Sequence, residues 1–474
     1  MRPGHRAAMP KLREITLPHM SRRDPDFFLR LQHELSDGRT WLERGVVLAY
    51  AAAAGLCVVL FTLMTHAASQ WFGRLHATVP WAVLLWTPAL TAFVVWATRR
   101  WFPGAAGSGI PQVMAALDPA LPPEARHRFV SLRLTVGKML LGTLALLGGL
   151  SAGREGPSVQ VAAGVLHGAR RWLRPGSAMN ERALLVAGGA AGIAAAFNAP
   201  LAGIVFAIEE LSRRLEARNN GLILAAIVLA GLVGISVFGN QTYFGTISVP
   251  SLSWASLLPG VLVAVICGAA GGLFARLLAA SAAGLPDRFS ALRRRAPVRF
   301  AALCGLAVAV IGLVSGGATF GGGEQEVRRL LAGGGDVSQL YALLKFMATW
   351  ITTWSGVPGG IFAPSLSIGA GIGHDVAQLV AGHHLSALAP SLIAIGMASF
   401  LAATTQAPLT SFIIVMEMID GRPMVLSLMA SAMLASLISR MISRPLYATL
   451  AGMMLRRMGI APRVVDAPPP AGGH

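Results

Sequence analysis

Gly153-Arg154-Glu155-Gly156-Pro157-Ser158-Val159-Gln160-Val161-Ala162-Ala163-Gly164-Val165 returns 207 positions later as Gly360-Ile361-Phe362-Ala363-Pro364-Ser365-Leu366-Ser367-Ile368-Gly369-Ala370-Gly371-Ile372. The Gly, Pro, Ser and late Ala-Gly positions coincide. A second pair keeps nearly the same spacing: Ala199-Pro200-Leu201, running on to Glu209, against Ala407-Pro408-Leu409, running on to Glu417, 208 positions apart. Two matched segments in one order imply a duplicated unit. We place its copies at 45–225 and 255–455, joined by a connecting span and loop at 226–254. A polar N-terminal segment, 1–44, and a short tail, 456–474, flank them.

The composition says where such a unit resides. Of the 474 residues 54% are hydrophobic and only 13% charged, too little polar surface for an ordinary soluble protein. Apolar runs at 45–68, 81–97, 222–238, 257–283 and 301–314 match, or with slight extension approach, the length needed to cross about 30 Å of hydrocarbon. The expectation is an all-α integral membrane protein. The net charge of +18 does not redirect this reading to nucleic acid. The basic residues concentrate in the N-terminal segment and in connections such as Arg293-Arg294-Arg295, where cytoplasmic loops carry them, and a positive field suits an anionic substrate. The first 44 residues show no apolar stretch before a cleavage site, so we expect no secretory signal and a cytoplasmic N-terminus. The Pro/Gly-rich tail leads us to expect no soluble regulatory domain after the membrane part. Cys57, Cys267 and Cys304 lie singly in apolar runs, without metal-site or disulfide spacing.

The repeated motifs also read as breaks in helices. Gly107-Ser108-Gly109-Ile110-Pro111, Gly153-Arg154-Glu155-Gly156-Pro157 and Gly359-Gly360-Ile361-Phe362-Ala363-Pro364 each pair backbone-permissive glycine with a proline suited to a helix's first turn. A helix N-terminus presents unpaired N–H groups and about half a positive charge, and so can hold an anion without a full countercharge. Any one cluster fits an interfacial turn equally well. Three of them, two related by the repeat, favour a built site at membrane depth, where non-helical backbone is tolerated only beside protein or a water-filled cavity.

These motifs, with Pro445-Leu446-Tyr447 after them, resemble the CLC family of chloride channels and chloride/proton antiporters, in the family's order and over residues 40–455. The resemblance implies an inverted-repeat bundle of tilted and broken transmembrane helices. It implies a homodimer with one anion pathway per subunit, in a bacterial inner (plasma) membrane. It further implies that Ser108 and Tyr447 offer hydroxyls, and Ile361 and Phe362 backbone N–H groups, to a central chloride. Alone, Ser108 fits close helix packing and Tyr447 an interfacial aromatic belt. Arg154 and Lys138 fit snorkelling charges as well as tuning of the pathway's potential, so neither is assigned to the site.

Glu155 carries a specific chemical expectation. A carboxylate buried in the membrane costs about 2.5–3.5 kcal/mol on insertion scales. Placed at an anion site it acts as a tethered anion that leaves when protonated, a role the resemblance also implies. Of Glu209 and Glu210, the first has a repeat partner in Glu417 and the second faces Met418, so Glu209 reads as scaffold and Glu210 as an addition. The resemblance gives Glu210 the role of inner proton-transfer glutamate; the bland reading pairs both acids with Arg213 and Arg214 in a solvated cluster. The expected function is chloride/proton exchange, with an uncoupled chloride channel or a fluoride/proton antiporter as alternatives. The resemblance further implies that the serine at position 108 favours chloride over fluoride and over nitrate. No enzyme, cofactor, metal or phosphate-binding loop is expected, and His374, His383 and His384 read as loop and helix-end residues.

Overall fold

The computed structural model describes residues 38–462, apart from 175–176, 178, 212–219, 240–241, 245–253, 285, 335–336 and 382–384. By contacts the chain divides into 1–45 and 46–474. Of the first part the described portion is the opening of one helix, and the account below concerns the second. Eighteen α-helices follow in order among the described residues. The first repeat runs α1 (Gly38–Thr78), α2 (Val83–Trp101), α3 (Ile110–Leu117), α4 (Leu132–Leu147), α5 (Glu155–His167), α6 (Glu181–Phe197), α7 (Pro200–Phe206) and α8 (Asn220–Phe238). The second runs α9 (Trp254–Ala283), α10 (Arg288–Arg295), α11 (Pro297–Val314), α12 (Glu324–Leu331), α13 (Tyr341–Ser355), α14 (Phe362–Ala381), α15 (Leu385–Thr405), α16 (Pro408–Ile419), α17 (Val425–Ile442) and α18 (Leu446–Arg457).

Among the described residues seven helical stretches are long and apolar enough to cross a membrane. Others are not. α3, with eight residues, is about 12 Å long at 1.5 Å per residue, well short of the hydrocarbon thickness. A helix this short cannot cross the hydrocarbon by itself, in keeping with the helix breaks that the Gly/Pro motifs imply.

The duplication is present in space as in sequence, α4–α8 recurring as α13–α17. Gly153 and its repeat mate Gly360 form an antiparallel bridge with each other, N–H to O at 2.8 Å and 2.7 Å. Equivalent residues that bond reciprocally in antiparallel sense are exchanged by a local two-fold, which is what an inverted repeat demands. Within each half, neighbouring helices pack through small residues. A Cβ on Gly396 of α15 would run into the Gly369 carbonyl of α14, and one on Gly188 of α6 would stand 2.7 Å from Ala163 Cα of α5. Lipid supplies no hydrophobic drive between helices, so such close backbone approach is how they gain contact.

Several expectations change in detail. Arg293, Arg294 and Arg295 lie in a short helix, α10, rather than a loop. Asp287 caps that helix by accepting from Ser290 N–H at 2.6 Å, a bond that holds the exposed Asp287 carboxyl below its usual range, and Pro297 starts the next helix. His374 sits inside α14 and is buried, its Nε2 beside Gln378 at 2.9 Å, not at a helix end; the apolar periodicity of α14 carries through it. His383, His384, Arg213 and Arg214 lie outside the described residues. The repeat boundaries drawn after 225 and 455 fall inside α8 and α18. All three cysteines are free; Cys267 and Cys304 are buried.

Candidate functional site

The three Gly/Pro motifs meet because backbone bridges tie them together. Gly107 N–H donates to Val357 O and Gly359 N–H returns to Gly107 O, both at 3.1 Å, while Gly153 and Gly360 pair as described. This brings the loop of Ser108 and the N-termini of α5 and α14 to one place. Glycine is required there for close approach. A Cβ on Gly156 would collide with Ser108 Oγ, and one on Gly153 with Glu155 Oε2. Gly109, at φ 112°, turns the chain into α3.

The loop before Ser108 is held from behind. Lys138, fully buried on α4, donates to Ala105 O at 2.8 Å and Gly107 O at 2.6 Å. Gln112 donates to Ala106 O at 2.5 Å and accepts from Gly109 N–H at 3.0 Å, and Gln160 donates to Gly104 O at 2.9 Å. Carbonyls from Gly104 to Gly107 are therefore all engaged. Their oxygens would repel an anion, and these bonds take them up, leaving donors at the site. Lys345 repeats the device 207 positions later, donating to Thr319 O at 2.9 Å and Gly321 O at 2.7 Å.

Glu155 is the first residue of α5 and has no exposure. Its carboxylate lies near Ala363 N–H at the start of α14 but without a hydrogen bond of proper geometry to either oxygen. Ile361 and Phe362 are buried at the start of α14, where N–H groups have no preceding turn to bond. Tyr447, on α18, is 1% exposed, so it is no interfacial belt aromatic. Its ring lies 6.0 Å from that of Phe362, and α18 packs on α3, beyond Ser108. The Ser108 and Tyr447 hydroxyls are neighbours, yet neither has a hydrogen-bond partner. A buried polar atom left unpaired costs about 1–3 kcal/mol. Two hydroxyls and a carboxylate are thus left unpaired in one place beside two helix N-termini, an arrangement chemically suited to an anion.

A sequence description for "Voltage gated chloride channel" matches residues 90–440. The chain belongs to the CLC family. It is 32% identical to H(+)/Cl(-) exchange transporter ClcA of Citrobacter koseri over 437 residues, 87% of this chain and 89% of that protein. It is also 32% identical to the protein of that name from Cronobacter sakazakii, over 75% of this chain and 76% of that one. Among solved structures it resembles a slow cyanobacterial Cl-/H+ antiporter, with TM-score 0.76, 26% identity, and coverage of 89% and 99%. A CLC-type fluoride/proton antiporter shares the fold, with TM-score 0.70, 22% identity, and coverage of 86% and 97%.

In this CLC protein the adjacent acids of the π turn Ala207–Leu211 part company. Glu209 accepts from the N–H of Leu409 at 3.0 Å and of Thr410 at 2.7 Å, across the repeat. Glu210 is half-buried on the same turn, and the Tyr447 hydroxyl lies within electrostatic range of both Glu210 and Glu155. Sequence reasoning left out Lys138, Gln112 and Gln160, although Lys138 and Lys345 share the repeat offset and could have been found by it. It had no signal for Tyr243 and Glu324, which close on Arg154 from a distant turn and from the start of α12. Arg154 Nη2 donates to Tyr243 OH at 3.0 Å, Arg154 Nη1 lies 3.3 Å from Glu324 Oε1, and Tyr243 OH donates to the same oxygen.

Proposed function

We propose that this CLC protein exchanges chloride for protons across the membrane it spans, with Ser108, Tyr447 and the N–H groups of Ile361 and Phe362 as chloride ligands. Glu155 is the gate and Glu210 the second proton-transfer carboxylate. The observation that carries the reading is the meeting of unpaired Ser108 Oγ, Tyr447 OH and both Glu155 oxygens at the N-termini of α5 and α14. A chloride and an ionised Glu155 make the same demand on those donors, so one displaces the other. Protonation removes the carboxylate's charge and its claim on the helix ends, which links anion passage to proton uptake. Tyr447 lies within electrostatic range of both Glu155 and Glu210, which supports a proton route running between the two acids.

Relatives named as H(+)/Cl(-) exchange transporters favour this over the uncoupled channel. A bacterial inner-membrane location and a homodimer belong to the same reading. Leu232, Leu409, Leu426 and Leu437 leave apolar surface on α8, α16 and α17 for lipid or a second copy to cover. The experiment is flux in liposomes. Under an imposed chloride gradient the protein should drive protons uphill, and Glu155→Gln should keep passing chloride while proton movement stops. Chloride flux without protons in the parent establishes the channel instead.

A further inference from the structure

Arg154 precedes the gate in sequence, yet its charge is engaged elsewhere. Its guanidinium meets the Glu324 carboxylate at 3.3 Å and the Tyr243 hydroxyl at 3.0 Å, and its Cζ lies 5.6 Å from the Tyr243 ring centroid. The clamp is itself braced. Tyr243 OH donates to Glu324, and Arg328 Nη2 donates to Tyr243 O at 2.5 Å. With side-chain exposures of 11% for Arg154 and 28% for Glu324, the pair is largely withdrawn from water and less screened than a surface ion pair.

The clamp also borders a cavity beside the gate. A cavity of about 510 Å³ is lined by Gly153, Arg154 and Glu324, and Gly153 is the residue against which the Glu155 carboxylate lies. A Glu155 side chain leaving the site on that side moves toward Arg154. Glu324 opens α12 from a glycine in left-handed conformation, Gly323, which aims it back across the cavity. Other titratable or charged groups facing the cavity are His66 and His76 of α1, Arg328 of α12, and the Glu326–Arg329 pair. Among the described residues Glu324 is the acid that pairs with Arg154, and Arg328 turns to the Tyr243 carbonyl.

We propose that Glu324, with Tyr243, occupies Arg154 so that an ionised Glu155 finds its neighbouring guanidinium already paired, which makes Glu324 a positioning residue that obliges the gate to be protonated before it opens. The argument is electrostatic. Glu324 cancels the guanidinium adjoining Glu155 and, with Tyr243, occupies both of its Nη groups, so a departed carboxylate gains neither charge nor hydrogen bond there. A neutral Glu155 feels neither effect. This inference rests on the exchange reading above and adds to it the reason why exchange does not slip.

The test measures chloride and proton flux in liposomes for the parent, Glu324→Gln, Tyr243→Phe, and Glu324→Gln combined with Arg154→Gln. Glu324→Gln should keep chloride flux but move several-fold fewer protons per chloride, because freed Arg154 receives an ionised Glu155. Tyr243→Phe should give a smaller loss in the same direction. Adding Arg154→Gln should return the ratio to that of the parent. A parent ratio in Glu324→Gln, or no recovery in the double variant, overturns the proposal; retained chloride flux reports that the variants are folded. If Glu324→Gln passes no chloride, Tyr243→Phe decides alone, and a parent ratio there overturns the proposal. A parent that moves no protons refutes the exchange reading instead. The proposal is then read from chloride flux with the cavity side held alkaline, where Glu324→Gln should exceed the parent several-fold and equal flux overturns it.

Discussion

Glu209 and Glu417 each cap the helix that carries the other. Glu209, on the π turn extending α7, accepts from the N–H of Leu409 and Thr410 at the start of α16. Glu417, on α16, accepts from Leu201 N–H at 3.3 Å and Ala202 N–H at 2.8 Å at the start of α7. The exchange locks the two repeats together through four orphan donors that membrane depth would otherwise leave unsatisfied.

Removal of either cap should therefore destabilise the whole protein. Glu209→Ala should cost about 1–2 kcal/mol, the scale of a lost N-cap with a charged acceptor. Unfolding in mixed micelles should show a lower midpoint, and Glu417→Ala should behave alike. Because both caps brace one junction, the double variant should lose less than the two singles summed.

Selectivity should follow the Ser108 hydroxyl. In Ser108→Pro the directed donor is gone, and chloride, smaller than nitrate and more dependent on a localised hydrogen bond, loses more. Nitrate flux should rise relative to chloride in liposomes. An unchanged ratio would return Ser108 to a packing role.

Tyr447→Phe keeps the ring against Phe362 and removes only the unpaired hydroxyl. A hydrogen bond to a charged partner is worth about 1.5–3 kcal/mol, so chloride affinity by calorimetry should fall roughly tenfold or more. Stability should be unchanged or slightly raised, since the orphan hydroxyl goes with it.

Adjacent acids should have opposite phenotypes. Glu210→Gln keeps shape but deletes a titratable oxygen, so chloride should still cross while proton transport disappears. Glu209→Gln should leave the proton-to-chloride ratio near that of the parent while lowering the unfolding midpoint. Equal effects on coupling from both would show that local charge, not a relay, is what matters at this turn.

Much of this was legible in the chain itself. Apolar runs dictate a membrane protein because lipid excludes unpaired backbone, and the recurrence of Gly153–Pro157 at Gly360–Pro364 determines a duplication with paired helix starts. The order of Ser108, Glu155, Ile361, Phe362 and Tyr447 was sufficient to name candidates. The repeat partner Glu417 was sufficient to mark Glu209 as scaffold. What only the tertiary structure decided is how these meet. The inverted relation of the halves rests on Gly153 bonding Gly360, a contact across 207 positions that no local pattern encodes. Lys138 reads from sequence as a snorkelling charge, and only the folded loop turns the Ala105 and Gly107 carbonyls toward it. Arg154, Tyr243 and Glu324 come from three separate segments with no shared spacing, so their clamp exists only once the repeats close. Sequence periodicity encodes which face of a helix is buried, whereas long-range hydrogen bonds depend on where the chain returns, and that is settled by packing.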